Sequence, residues 1–262
     1  MKLHRILAVV RRHLYDMRRN LDRVNDSFFW PILDVLIWGL FTVYLSDRLE
    51  QGFTFVNFLL GAIILWGVFY SFQRDLAMGF LEELWSRNLI NLFSTPLTIW
   101  EYISGLLLVN LLKTAFGFFV AATIAGLLYH FNVFSLSVYF LPFVLILFVF
   151  SLSIGFLITG FIFRYTTRVQ TVAWSFAGVL QPLSCVMYPL STLPMWLQRV
   201  AWFFPTTHVF EAMRQLLAGG GFSMEHFWWG LLLSVGYLTL SIVFFKIIFE
   251  ITRARGLLAK LA

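Results

Sequence analysis

The chain has 262 residues, 60% of them hydrophobic and only 12% charged, with a mean hydropathy of +0.83 and a formal net charge of +6. A soluble domain carries about 25% charged residues, so too little polar surface remains to cover a water-soluble globule, and lipid is the natural solvent. The single cysteine, Cys185, excludes an intrachain disulfide and a cysteine-based metal cluster.

Residues 1–25 form the first element. Leu3, Ile6, Leu7, Val10, Leu14, Met17, Leu21 and Val24 fall on one helical stripe, with Lys2, Arg5, Arg11, Arg12, Arg18, Arg19 and Arg23 largely off it. That pattern predicts an amphipathic helix in the membrane interface, its basic groups toward anionic headgroups. Anchoring alone would also account for it. A short apolar core with a small-residue cleavage site is lacking, so no cleavable signal peptide is expected.

A span needs roughly 20 mostly apolar residues. Six are predicted, at 28–46, 54–72, 103–128, 140–162, 169–188 and 227–249. With the amino terminus inside, the outer connections hold only Arg48, Arg199 and Arg214, while Lys113 and Lys246 fall within spans and every other basic residue lies on the inner side. This asymmetry predicts cytosolic termini.

Between the second and third spans runs GFLEELWSRNLINLFSTPLTIWEY, residues 79–102. Leu81, Leu84, Leu89 and Leu92 recur at amphipathic spacing, and Glu83 stands one turn before Arg87. Pro96 ends the pattern, because a residue before proline is pushed out of the helical region. Thr98 with Glu101 reads as a capping box opening the next helix. A cytosolic helix over 79–95, parallel to the membrane, is predicted, either presented to a partner or merely solvated.

The last outer connection, within 189–226, is too apolar to sit free in water. Pro189, Pro194 and Pro205 cut it and Gly219–Gly221 ends it, predicting short helices over 194–203 and 207–218 that dip into the outer leaflet. Trp196, Trp202, Phe203 and Phe204 suit that depth. Both a passive loop and an outer gate fit. Glu211 and Arg214 would be a helix-surface pair worth about 0.2–0.5 kcal/mol.

Ionisable groups in spans are costly, about 2.5–3.5 kcal/mol at a helix centre. Lys246 and Glu250 are one turn apart, so snorkelling and a local pair would explain them. Asp34 lies near the inner interface. Lys113 is deeper; it could snorkel inward, pair with Asp34, or face an anionic substrate such as a phosphate-bearing lipid. Trp66, Phe69, Tyr70, Phe116 and Trp174 are candidates for a pathway lining, although periodicity does not separate lumen from lipid. No two of the five histidines share a metal-ligand spacing, and neither a Gly-x-Ser-x-Gly nor a P-loop motif is present. No catalytic, metal or cofactor site is expected.

Two stretches resemble a known family: LWSRNLINLFSTPLTIWEYISG (84–105) and YPLSTLPMWLQRVAWFFPTTHVFEAMRQLL (188–217). Residues 84–105 are similar to the acidic helix, x-Thr-Pro-Leu and third span of type-2 ABC exporter permeases. Residues 188–217 are similar to their Tyr-Pro-Leu, Leu-Pro-x-Trp-Leu and Pro-Thr-x-x-x-Glu-x-x-Arg signature. The order of elements is similar along nearly the whole chain. The opening DRVNDSFFWPILDVLIWG departs from the O-antigen branch and sits closer to the drug and lipo-oligosaccharide branch.

The resemblance implies an all-α membrane protein of six transmembrane helices in a bacterial inner membrane. It also implies a half-transporter: a homodimer driven by two separate cytosolic ABC ATPase subunits, which would hold the ATP and Mg. Glu82, Glu83, Trp85, Arg87, Asn88 and Asn91 would form the ATPase-docking surface. Trp196, Phe203, Phe204, Pro205, Glu211 and Arg214 would form the outer gate, and Lys113 and Asp34 would lie along a substrate path. Besides lipid, the expected cargo is an amphipathic or lipid-linked molecule, with an exported glycan as the alternative; nucleic acid is not expected. Other classes weighed are a membrane-embedded transferase, which would want clustered carboxylates or histidines, and an ion-gradient carrier, which would favour inverted repeats.

Overall fold

The computed structural model describes residues 1–49, 53–133 and 139–254, and every extended regular element among them is helical. In order they are α1 (Leu3–Arg19), α2 (Leu21–Leu49), α3 (Phe53–Trp85), α4 (Leu89–Ser94), α5 (Ile99–Tyr129), α6 (Phe140–Tyr165), α7 (Gln170–Leu183), α8 (Met195–Ala201), α9 (Pro205–Leu217) and α10 (Met224–Ala254). Arg255 and Lys260, which contribute to the basic bias, lie outside the described residues.

By length and apolarity α5, α6 and α10 could each cross a membrane. At about 1.5 Å per residue, α5 and α10 extend about 46 Å, beyond a hydrocarbon core of about 30 Å. The expected spans 28–46 and 54–72 fall within α2 and α3. Both helices are long enough to cross, and α2 holds the apolar stretch Phe29–Leu45. The expected span 169–188 holds only the 14-residue α7, about 21 Å long.

The bundle is organised around α3, which packs against α2, α5, α6, α7 and α9. Its buried face carries Leu65, Phe69, Leu76 and Phe80, which meet Phe150 and Phe163 of α6, Tyr102 of α5 and Phe245 of α10. Small residues set the helix spacing, since lipid gives helices no hydrophobic reason to associate and close contact must do so. A β-carbon at Gly155 would come within 2.9 Å of Leu76 Cδ2 and 3.4 Å of the Gln73 carbonyl. One at Gly105 would lie 2.6 Å from the Val9 side chain, so glycine there lets α1 rest on α5.

The apolar stripe expected to face lipid along α1 is divided. Val9, Val10 and His13 are buried against the protein, whereas Leu3, Leu7 and Leu14 remain exposed.

The helix expected over 79–95 is two pieces. α3 runs on to Trp85, then Ser86–Asn88 turn the chain into the short α4. The turn is a Schellman motif: the Asn88 N–H reaches the Glu83 carbonyl at 2.9 Å and the Arg87 N–H the Leu84 carbonyl at 3.1 Å. Arg87 takes the left-handed position with φ 53°. Glycine usually stands there, and its absence hides the break in the sequence.

Candidate functional site

At the α1/α4 end, ion pairs tie three elements together. Arg12 of α1 meets the Glu83 carboxylate at 2.7 Å. Asn88 Nδ2 donates to the same carboxylate at 2.7 Å, and the Tyr102 hydroxyl of α5 lies 3.2 Å from it and 3.1 Å from the Gly79 carbonyl. Burial would lower the Arg12 pKa, but the hydrogen bond and charge of Glu83 outweigh it and hold the guanidinium above its ordinary value. A further clamp uses the capping box of α5. The Thr98 side chain accepts from the Glu101 N–H at 3.2 Å, and the Glu101 carboxylate accepts from the Thr98 N–H at 3.0 Å, the Lys2 N–H at 2.7 Å and Arg5 at 3.4 Å. Arg5 also donates to the Pro96 carbonyl. Basic residues of α1 therefore hold both ends of the α4 connection.

These contacts redistribute the expected docking residues. Glu83 is 2% exposed and faces inward, so it is a structural anchor rather than surface. Its expected partner Arg87 is exposed, and Arg12 occupies that place. Glu82 turns into the interior cleft. Trp85 is half-exposed, stacks on Trp174 and donates to Gln170 of α7 at 3.2 Å. Asn88 is partly buried, while Asn91 is exposed and donates to Asn88 at 3.3 Å. Leu89 and Leu92 are buried, and these pin α4 to the bundle. Among the described residues, the outward face thus carries Trp85, Ser86, Arg87, Asn91 and the Ser94–Pro96 turn.

A cleft of about 900 Å³ opens among α1, α2, α3, α5 and α7. Along its α5 wall, Asn110 Nδ2 donates to the Phe72 carbonyl at 3.2 Å and Lys113 Nζ donates to Asp75 at 2.7 Å. Arg74 reaches the same Asp75 carboxylate at 3.1 Å. Lys113 therefore leans toward the α1/α4 end and pairs with Asp75, not with Asp34. Sequence reasoning missed Asp75 because it put the end of the span before it at residue 72. A signal was present: Asp75, Gly79 and Glu82 continue the helical spacing with no breaker. Of the aromatic candidates, Trp66, Tyr70 and Trp174 line the cleft, Phe69 is wholly buried in the core, and Phe116 is exposed and outside the cleft lining. The Lys246–Glu250 pair does not form; both side chains are exposed.

The segment at the other end is anchored, not loose. Pro194 is the N-cap of α8, and Pro205 is the first residue of α9, where a missing N–H costs nothing. Trp196 and Phe203 project outward at 67% and 62% exposure, Phe204 is partly buried and Pro205 is buried. Glu211 and Arg214 are more than a surface pair. Arg214 Nη2 donates to the carbonyls of Cys185 and Tyr188, both at 2.9 Å, and its guanidinium lies 4.4 Å from the Phe58 ring centre. Glu211 accepts from the Leu190 N–H and pairs with Arg214, each at 2.6 Å. The irregular turn after α7, with Cys185 at φ 52°, leaves carbonyls that the α9 side chains satisfy.

Two distant histidines also meet: His208 Nδ1 and His226 Nδ1 are 3.1 Å apart, while His208 Nε2 contacts the Trp202 carbonyl at 2.9 Å. Among the described residues no group of three or more His, Cys, Asp or Glu could hold a metal ion.

Curated proteins give no match to the chain. The ABC-2 type transporter family matches residues 5–218, a stretch that runs from α1 through the cleft-lining helices to the end of α9. That match covers most of the chain, and with the apolar helices it makes the protein an integral membrane protein of the transport-permease kind: the chain belongs to the ABC-2 type transporter family.

Proposed function

We propose that the protein is the permease half of an ATP-driven exporter. Two copies form the pathway, and two separate ABC ATPase subunits carry ATP and Mg and supply the work. In this reading α2, α3, α5, α6, α7 and α10 are the six membrane-crossing elements. Both termini and α4 lie in the cytosol of a bacterial cell, beneath its inner membrane, as the basic asymmetry supports. α4 is the coupling element, and α8–α9 cap the exit.

The observation that carries the reading is the mounting of α4. It is a short element whose two flanks are held: Arg12 of α1 and Tyr102 of α5 meet Glu83 at the end of α3, and the Glu101 clamp ties the start of α5 to the start of α1. A push on Arg87 or Asn91 would reach three helices at once, since packed ion-paired elements move as bodies. For cargo, a cleft of about 900 Å³ has the size of a site for a drug-sized molecule. That favours an amphipathic or lipid-linked cargo over a long glycan, which needs a continuous channel.

The test is affinity purification of the tagged chain from its native membrane. The reading predicts an equimolar nucleotide-hydrolysing subunit and transport that stops without ATP. A lone chain that moves its cargo without nucleotide would overturn it.

A further inference from the structure

The cleft holds a carboxylate that none of the described residues neutralises. Asp34 sits on α2 between Trp30 and Trp38, at positions i−4 and i+4, and all three line the cleft. Asp34 is exposed to the cleft and, among the described residues, makes no hydrogen bond or ion pair. Trp66, Tyr70 and Trp174 line the same cleft.

Among the described residues, the cations of the cleft are committed elsewhere. Lys113 is bound to Asp75 at 2.7 Å, and Arg74 lies against the same carboxylate at 3.1 Å. An anionic headgroup would have to break those pairs and would meet Asp34 as well. Among the described lining residues, Asp75 has Lys113 and Arg74 as counter-charges and Asp34 has none. An unpaired carboxylate in a largely apolar cleft is unfavourable, and aromatic faces attract cations as well as apolar groups.

We infer that the cleft binds an amphipathic organic cation, with Asp34 as its counter-ion and the faces of Trp30, Trp38, Trp66 and Trp174 as its apolar and cation–π walls. The inference deepens the export reading by naming the class of its cargo, and rests on that reading for the cargo's fate. It also sets aside the anionic substrate, one of the sequence readings of Lys113: that ammonium positions Asp75 and α3 against α5.

The test uses two ions of the same shape and opposite charge, tetraphenylphosphonium and tetraphenylborate. Their binding to the full chain in nanodiscs of neutral lipid is measured by equilibrium dialysis, without any ATPase. Wild-type protein should bind the phosphonium and discriminate against the borate. Asp34→Asn, which removes no contact with the described residues, should weaken phosphonium binding by about tenfold or more, the loss of one close charge pair. Asp34→Glu should retain it. Unchanged elution volume and unfolding temperature of Asp34→Asn would assign the loss to the site. Equal binding of both ions by the wild type, or unchanged phosphonium affinity in Asp34→Asn, would overturn the inference. Because no motor is present, either result stands apart from the question of ATP-driven export.

Discussion

Replacing Arg214 by methionine tests how the α8–α9 segment is held. The substitution keeps much of the side chain's apolar stem but removes both donors to the Cys185 and Tyr188 carbonyls and the cation over Phe58. Each carbonyl left without a partner costs about 1–3 kcal/mol, and the lost cation–π contact about 0.5–1 kcal/mol. Glu211 keeps its Leu190 N–H at 2.6 Å, so the segment is weakened by about 2.5–7 kcal/mol rather than released. Cys185 is the only cysteine and is fully buried in the turn that Arg214 clamps. Its reaction with a maleimide therefore reports opening of that turn. At about 1.4 kcal/mol per tenfold, a loss near 3 kcal/mol raises the labelling rate by about a hundredfold if local opening limits the reaction. Arg214→Lys should fall between, since an ammonium keeps the charge without the fork. A methionine variant that labels at the wild-type rate would refute the clamp.

Glu83→Gln removes the charge that Arg12 meets and should lower stability by about 1–2 kcal/mol in thermal unfolding. Tyr102→Phe should cost about 1 kcal/mol, and the double variant less than the sum because both act on one network. Full additivity would mean the contacts are independent. Arg87→Gly relieves a left-handed backbone at φ 53° and should leave the protein as stable or about 0.5–1 kcal/mol more so. It should nonetheless lower transport-coupled ATP hydrolysis; unchanged coupling would remove Arg87 from the ATPase contact. Burial pushes the His208 pKa below its ordinary value of 6.5, the Trp202 carbonyl and the charges of Glu211 and Glu225 only partly opposing it, and the neighbouring His226 adding to it. The unfolded chain then binds the proton more readily. Stability from neutral His208 is complete above about pH 6.5 and is lost as pH falls through that value toward the lower folded one. The unfolding temperature of the wild type should therefore drop more steeply between about pH 7 and pH 5 than that of His208→Gln; equal slopes would exclude His208 as the cause.

Where local chemistry decides structure, the sequence is readable. Thr98 and Glu101 form their capping box from neighbours alone, and Pro194 and Pro205 mark the starts of α8 and α9 by fixing φ. The helical class follows from composition, because lipid forces every backbone group to find its partner within a segment. What stays hidden depends on distant partners or on an uncommon residue at a special position. Arg87 occupies a left-handed turn that a glycine would have announced, so 79–95 reads as one helix. Glu83 reads as surface charge until Arg12, 71 positions earlier in the chain, comes to meet it. Lys113 pairs with Asp75 rather than Asp34 because α3 continues inward past the apolar run. His208 and His226 have no metal-like spacing, yet the start of α10 brings them together. The candidate site is thus legible as a set of segments, but the face each side chain presents is not.

The central claim is that α4 meets an ATPase on the side of the membrane opposite α8. In a Cys185→Ser background, a photoactivatable crosslinker on Asn91→Cys and, separately, on Trp196→Cys tests this directly; both positions are exposed and at opposite ends of the bundle. The account predicts a crosslink to the ATPase subunit from residue 91 and none from residue 196. A crosslink from 196, or silence from 91 in an intact complex, would contradict it.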